Sequence, residues 1–248
     1  MIKFFRHIRK TLISENKMGK YFKYAIGEIL LVVIGILIAL QINNWNEHKK
    51  AVQKEIEVLE AITLDLDFNI KEINLLLNDR VLNLNKISKS IELLIEYLES
   101  DKSYHDSLRV HFTRSNSYYE VNLKNTAYQS LTSIGIDLIQ NTELRSSIGD
   151  YFTSVVVKTK NSYKELRDDY YNYMLHYYRH DLVQTFDKKN NITLASPRNY
   201  EELKLKSDYI ESLKVFFDVN LFYKNEAIKT LEESEVLKTK IKTYIQSL

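Results

Sequence analysis

The hydrophobic and polar positions of the chain begin with one long apolar run. In the nineteen residues from Tyr24 to Ile42, only Glu28 and Gln41 are strongly polar. A helix of that length spans roughly 28 Å, close to the hydrocarbon thickness of a bilayer. The run therefore predicts a transmembrane helix at 24–42.

A heptad of apolar positions follows this run. Twelve of its fourteen positions are apolar, and they are Val52, Ile56, Leu59, Thr63, Leu66, Ile70, Ile73, Leu77, Arg80, Leu84, Ile87, Ile91, Leu94 and Leu98, with Thr63 and Arg80 as the exceptions. This spacing predicts a long helix at about 47–99. Because the register extends back through the apolar run without a slip, we expect one helix leading from the membrane. The alternative is a break at Asn43 and Asn44, whose side chains compete for backbone hydrogen bonds.

The apolar stripe of the heptad is wide, because flanking positions such as Ile62 and Leu76 are also apolar. Such a stripe needs partner helices from the same chain. The sequence predicts two of comparable length, one at 142–186 capped by Asn141 and one at 199–247 capped by Asn199 or Ser196.

A shorter helix is predicted at 125–133, ending at Gly135 in a left-handed cap. The segments 101–121 and 187–198 are predicted to be loops, and the second contains the single proline. With five glycines in 248 residues, the chain favours long helices. The expected fold class is all-α, an elongated bundle continuous with the transmembrane helix.

The charge distribution predicts the orientation in the membrane. Residues 1–23 carry seven basic residues and one acid, a net of +6, which leaves −4 of the total of +2 for the rest. The positive-inside bias makes 1–23 a basic cytoplasmic segment and puts 43–248 on the far side of the membrane. Such a balance does not favour nucleic-acid binding. Expected partners are the lipid bilayer and either a homo-oligomer or an envelope protein.

Aromatic side chains flank the run where a bilayer has its interfaces. Tyr21, Phe22 and Tyr24 lie at one end and Trp45 at the other, so we expect them to act as interface anchors. A cleaved signal peptide has the same order of segments, but its apolar part is usually shorter and ends at a small-residue site. The sequence favours an uncleaved anchor.

Three residues of the run share one narrow helical face. At 100° per residue, Gly35 and Ala39 each lie about 20° from Glu28. Small residues four apart let helices approach closely, so we predict a membrane association face at Glu28, Gly35 and Ala39. The alternatives for Glu28 are that it reaches the basic headgroup zone or relays a proton.

Candidate chemistry is sparse in the exported part. His176 and His180 are four apart and can share a helical face, but Tyr177 stands where a zinc hydrolase has its general-base Glu. They are weak metal candidates and are more simply explained as exposed helix surface. The chain has no cysteine and no phosphate-binding glycine loop. We therefore expect no enzyme activity, no catalytic residue and no cofactor.

Two further features are more simply explained by packing. The segment 163–178 contains six tyrosines, which are expected to fill a core with their hydroxyls at its rim. Arg80, the charged member of the heptad, is expected to form a core ion pair that fixes helix register.

The first 50 residues resemble the opening of a family of uncharacterised single-pass envelope proteins from Bacteroidota. The resemblance is carried by Ser14-Glu15-Asn16-Lys17, by Tyr24-Ala25-Ile26-Gly27-Glu28 and by Gln41-Ile42-Asn43-Asn44-Trp45-Asn46. A weaker similarity continues at Tyr128, Leu131, Gly135, Leu138, Ile139, Asn141, Leu144 and Arg145. It implies an inner-membrane anchor with a helical periplasmic domain, and it supplies no catalytic residue.

Together these patterns predict an oligomeric, membrane-anchored periplasmic helical scaffold or interaction protein. A ligand-sensing helical bundle that signals through a membrane partner is the alternative. A metal-dependent enzyme built on the histidine pair is the third hypothesis.

Overall fold

The computed structural model describes residues 18–79 and 83–248, apart from the side chains of Tyr21 and Asp79. The described chain is predominantly helical and divides into two compact units, one ending at Glu55 and one from Ile56 to Leu248. Its helices are α1 (Met18–Asn74), α2 (Leu84–Leu98), α3 (Arg109–Ser115), α4 (Thr126–Ile134), α5 (Thr142–Asp150), α6 (Val156–Asp169), α7 (Leu175–His180), α8 (Tyr200–Lys204) and α9 (Ser207–Ile245).

Short irregular turns connect or interrupt these helices. Turns of π-helix occupy Leu75–Asp79, Tyr151–Val155 and Tyr170–Met174, and 3₁₀ turns occupy Asp106–Leu108 and Ile136–Leu138. Because the last two π-turns join α5, α6 and α7, the chain is helical without a gap from 142 to 180.

Helix α1 continues through Asn43 and Asn44, so no break occurs there. The predicted helix at 47–99 is nevertheless not continuous, because Asn83 has an extended backbone and α2 begins as a separate helix at Leu84. Arg80, which was expected to form a core ion pair, lies outside the described residues.

Asparagine side chains explain where the heptad helix is interrupted. Asn83 Oδ1 accepts from Lys86 N at 3.0 Å and so caps α2. Asn83 Nδ2 donates to Asn78 O at 2.9 Å, and Asn85 Nδ2 donates to Leu77 O at 2.9 Å. These bonds satisfy carbonyls at the end of one helix and an N–H at the start of the next. The heptad period continues in sequence, but local side-chain bonds replace the helical ones.

The predominantly helical chain is consistent with the predicted all-α class, and one β-hairpin corrects the predicted helix at 142–186 and the predicted loop at 187–198. The helix ends at His180, and β1 (Leu182–Asp187) pairs antiparallel with β2 (Ile192–Pro197), with Leu182 opposite Pro197 and Asp187 opposite Ile192. The strands are rich in Val, Ile, Thr and Phe, which favour extended backbone.

Local hydrogen bonds close the hairpin turn. The Asp187 carboxylate accepts from Lys189 N at 3.0 Å and from Asn190 Nδ2 at 2.8 Å, and Asn191 adopts a positive φ of 53°. Asn is among the residues that tolerate this conformation. On the other edge, Ala195 N donates to Thr113 Oγ1 at 2.8 Å, which attaches β2 to α3.

The helix predicted at 199–247 consists of two helices. Asn199 caps α8, accepting from Glu202 N at 3.3 Å, and the chain turns at Leu205 and Lys206 before α9 begins. Asn141 caps α5 as predicted, with Leu144 N donating to its Oδ1 at 2.9 Å. The predicted short helix is α4, and Gly135 ends it with a φ of +125°, a conformation that favours glycine.

The core of the second unit is formed by the predicted heptad and its flanking positions. Heptad residues with no exposure include Leu59, Leu66, Ile73, Leu84, Ile87, Ile91 and Leu94, and the flanking Ile62 and Leu76 are equally buried. The largest buried aromatic side chains are Phe112, Tyr209, Phe216 and Tyr223. The wide apolar stripe is therefore covered by other parts of the same chain, because the flanking residues Ile62 and Leu76 are fully buried.

A directed chain of hydrogen bonds crosses this core. Ser234 Oγ donates to Thr230 O at 2.5 Å, so the Tyr151 hydroxyl, 2.7 Å away, must donate to Ser234 Oγ. Asn69 Nδ2 in turn donates to the Tyr151 oxygen at 3.4 Å. Asn69 also holds the loop before α4 through both of its amide atoms, at Lys124 N and Lys124 O. These buried groups join α1, α9 and the π-turn after α5.

Candidate functional site

The apolar part of α1 carries its side chains on the outside. Within the first unit, the large apolar residues from Ile26 to Ile42 are 45–63% exposed. In the described residues, α1 is the one helix long and apolar enough to cross a membrane, judged by length and composition. Such a segment needs a covering, because water is a poor solvent for so many adjacent apolar side chains.

The predicted association face lies on this segment. A Cβ added at Gly35 would meet nothing within 4 Å, so the helix surface there is open. Ala39 is exposed and Glu28 is half-buried. The single chain does not test whether the three residues face another helix, and the association face stays a prediction.

The predicted interface anchors are exposed where they are described. Phe22, Tyr24 and Trp45 are 58%, 54% and 63% exposed, whereas the side chain of Tyr21 is not among those that the structure describes. Lys49 Nζ lies 5.5 Å from the centre of the Trp45 ring, one helical turn further on. A cation beside an aromatic ring suits a membrane interface, where both groups can contact headgroups and water.

The histidine pair is brought together at the end of α7. The ring centroids of His176 and His180 are 4.6 Å apart, with an angle of 37° between the ring planes. Both residues are exposed, and they line a groove of about 580 Å³ together with Tyr177, Asp181, Leu205, Lys206, Ser207 and Asp208. The sequence placed the two histidines on one face, but their neighbours from the start of α9 were not predictable from local spacing.

An ion pair lines this groove together with the histidines. Lys206 Nζ donates to Asp181 Oδ1 at 2.5 Å and lies 3.6 Å from Glu202 Oε1. The hydrogen bond to Asp181 raises the pKa of Lys206, against the opposing effect of partial burial. With one ammonium and the two carboxylates of Asp181 and Asp208 lining it, the groove has a slight excess of negative charge.

Groups capable of holding a metal are limited in the part of the chain that is described. No cluster of three or more His, Asp or Glu side chains there has the arrangement of a metal site. The histidine pair is thus a two-ligand arrangement. A closed structural zinc site requires four ligands, so these residues cannot supply one alone.

Two serine–histidine contacts were not anticipated from the sequence. His111 Nδ1 lies 3.1 Å from Ser90 Oγ, and His105 Nδ1 lies 2.5 Å from Ser107 Oγ. Ser90 Oγ already donates to Lys86 O at 2.8 Å, so His111 must donate to Ser90. This direction is the reverse of a histidine base activating a serine nucleophile. The contact attaches α3 to α2, and burial lowers the pKa of His111, which favours the neutral ring.

The tyrosine-rich segment packs as a cluster rather than forming an open ligand platform. The ring of Tyr118 lies 4.8 Å from that of Tyr170 and 6.3 Å from that of Tyr163. Tyr170 also lies 6.0 Å from Phe216 of α9. Burial raises the pKa of Tyr170 to about 12. This placement agrees with the expected packing role, with Tyr171 and Tyr173 remaining exposed.

No family model, no curated protein and no solved structure matches this chain.

Proposed function

We propose that the protein is a scaffold anchored by a single transmembrane helix in the bacterial inner membrane, with its basic N-terminus in the cytoplasm and its helical domain in the periplasm. The observation that carries the proposal is the contrast in exposure within one chain. From Ile26 to Ile42 the large apolar residues are at least 45% exposed, whereas those of the second unit's core are at most 9% exposed.

A free-energy estimate supports a covering of lipid. Burying one large apolar side chain contributes about 1.5–3 kcal/mol, so covering twelve half-exposed ones is worth on the order of 10 kcal/mol. The flanking Lys20, Lys23 and Lys49 are placed to contact headgroups on either side of the run.

Protein contact is the activity that the second unit supports best. Apolar side chains stay exposed at the hairpin, where Phe186 and Ile192 are 56% and 43% exposed, and on the outer face of α9, where Val215 and Phe222 are 50% and 48% exposed. Exposed aromatic and aliphatic side chains of this kind are typical of surfaces that meet other proteins.

Topology can be tested directly because the chain has no cysteine. Ser14→Cys and Lys189→Cys each introduce a single thiol, one before the run and one in the hairpin turn. A membrane-impermeant maleimide applied to spheroplasts is expected to label Lys189→Cys, and to label Ser14→Cys only after permeabilisation. The reverse pattern would overturn the orientation. Extraction of the protein from the membranes by alkaline carbonate would overturn the proposal that the chain is anchored by a transmembrane helix.

The scaffold role is tested by purifying the full chain from native membranes in mild detergent. The mass of the intact complex is then determined and its subunits are identified. A stoichiometric envelope protein or a homo-oligomer is expected. A lone monomer that captures a small molecule would instead support the sensor.

A ligand-sensing domain is the second candidate, and one groove favours it. A cavity of about 430 Å³ lies between α5 and the end of α9, with hydroxyl and amide side chains including Asn141, Ser147, Thr239 and Thr243. A mostly apolar groove with a few polar side chains, lying between helices, is where a small solute would bind in a sensing domain. Thermal-shift measurements of the purified protein against small amphipathic solutes test this role.

A further inference from the structure

The separation of the two imidazole rings at the end of α7 matches that expected for a chelate. An imidazole nitrogen binds a first-row metal at about 2.0–2.1 Å, which places the metal about 3.2 Å from the ring centre. Two rings sharing one metal at roughly a right angle then have centroids about 4.5 Å apart. The observed separation between His176 and His180 is 4.6 Å.

The surroundings of the pair suit a cation. Asp181 and Asp208 line the same groove, while Lys206 contributes one opposing charge and donates to Asp181. The groove is open to solvent, and both histidines are exposed. Water can therefore complete the coordination of a metal held by two imidazoles.

We propose that His176 and His180 bind a divalent first-row transition metal as a bidentate site, with Cu²⁺ preferred over Ni²⁺ and Zn²⁺. Imidazole suits all three ions, and the general order of affinity places Cu²⁺ first. Two protein ligands with open positions fit the tetragonal coordination of Cu²⁺ better than the closed tetrahedral site of structural zinc. The chain has no thiolate to compete for the ion.

The test is titration of the full chain in detergent, purified without a histidine tag, with Cu²⁺, Ni²⁺ and Zn²⁺ by calorimetry. His176→Asn and His180→Asn are each expected to weaken Cu²⁺ binding at least about tenfold, because the second donor then no longer acts at high effective concentration. Electron paramagnetic resonance of the Cu²⁺ complex should show two nitrogen ligands in the wild type and fewer in either variant.

A matched control separates chelation from histidine content. The double variant His176→Asn with Arg179→His keeps the number of histidines but places them on adjacent residues, which do not face each other on a helix. It should bind Cu²⁺ as weakly as His176→Asn alone. His105→Asn, in a different part of the fold, should bind like the wild type.

Two results would overturn the proposal. One is equal Cu²⁺ affinity of the wild type and the double variant, and the other is a wild-type spectrum with a single nitrogen ligand. Circular dichroism of each variant checks that it is folded, so that weaker binding can be assigned to the lost donor. Neither result bears on membrane anchoring or on the proposed protein contacts.

Discussion

At the scale of single residues, buried polar groups decide how the helices register against one another. Tyr151 is 3% exposed, and its hydroxyl both accepts from Asn69 and donates to Ser234. A buried polar group that loses its partner costs more than the bond itself contributed. The Tyr151 hydroxyl is therefore a buried polar link between Asn69 of α1 and Ser234 of α9.

Tyr151→Phe removes this hydroxyl while keeping the ring. We expect the free energy of unfolding to fall by about 1–3 kcal/mol, because Ser234 and Asn69 remain buried with one bond fewer. Urea unfolding of the full chain in detergent, followed by near-ultraviolet circular dichroism, measures the change. Tyr173→Phe, at an exposed position, is the control and should change the stability by less than about 0.5 kcal/mol.

Tyr170 predicts a dependence of stability on alkaline pH. Its pKa is raised from 10.0 to about 12 by burial, so its neutral form is favoured in the folded state. The resulting stabilisation is complete below pH 10 and is lost as the pH rises from 10 to 12, where the unfolded chain releases the proton first.

Tyr170→Phe cannot ionise and should lose less stability over this interval than the wild type, by about 1–2 kcal/mol. Unfolding free energies at pH 9 and pH 11.5 supply the comparison. If the two proteins lose stability in parallel, Tyr170 is not the group responsible.

At the scale of elements, asparagine side chains mark where helices begin and end. Asn83 caps α2 and also donates to Asn78 O at the end of the preceding segment. Asn125 occupies the corresponding position before α4 but makes no capping bond through its side chain. Identical residues at two N-caps thus differ in their contribution.

Asn83→Ala should lower the free energy of unfolding by about 1–2 kcal/mol, since the Lys86 N–H and the Asn78 carbonyl both lose a partner. Asn125→Ala is the matched control and should have a clearly smaller effect. Thermal unfolding of both variants, monitored by circular dichroism, compares them. Equal destabilisation would show that the side-chain cap does not stabilise the start of α2.

At the scale of the whole molecule, the open helix face of the apolar run bears on assembly. Gly35 has no neighbour within 4 Å of an added Cβ, and Gly27 is equally open. On a helix, Gly27 lies about 80° away from Gly35 around the axis. The two glycines therefore test the same substitution on different faces.

Gly35→Ile should reduce self-association of the full chain, because the added side chain prevents close helix approach at the predicted face. Glu28→Gln should reduce it as well if the carboxylate accepts a bond from a second helix. Light scattering in detergent and crosslinking in native membranes report the assembly. Gly27→Ile should leave it unchanged, and an unchanged oligomer in Gly35→Ile would remove this face from consideration.

Local sequence signals predicted much of the fold because they depend on a few neighbouring residues. The apolar run, the heptad, the Asn141 cap and the Gly135 turn each reflect period or backbone preference within one or two helical turns. The hairpin was missed because its strands follow a helical period directly, and its alternation is short. The histidine face was identified from spacing alone, whereas its groove needed the start of α9.

The sequence by itself determined the helical character of the chain, the exposed apolar run and the residues of the core stripe, since period and hydrophobicity act locally. Only the tertiary structure decided the interruption of the helix at Asn83, the docking of β2 on Thr113 and the direction of the Asn69, Tyr151 and Ser234 bonds. The physical reason is that these outcomes depend on competing hydrogen bonds, several of them between residues far apart in sequence. Their balance is set when the chain packs.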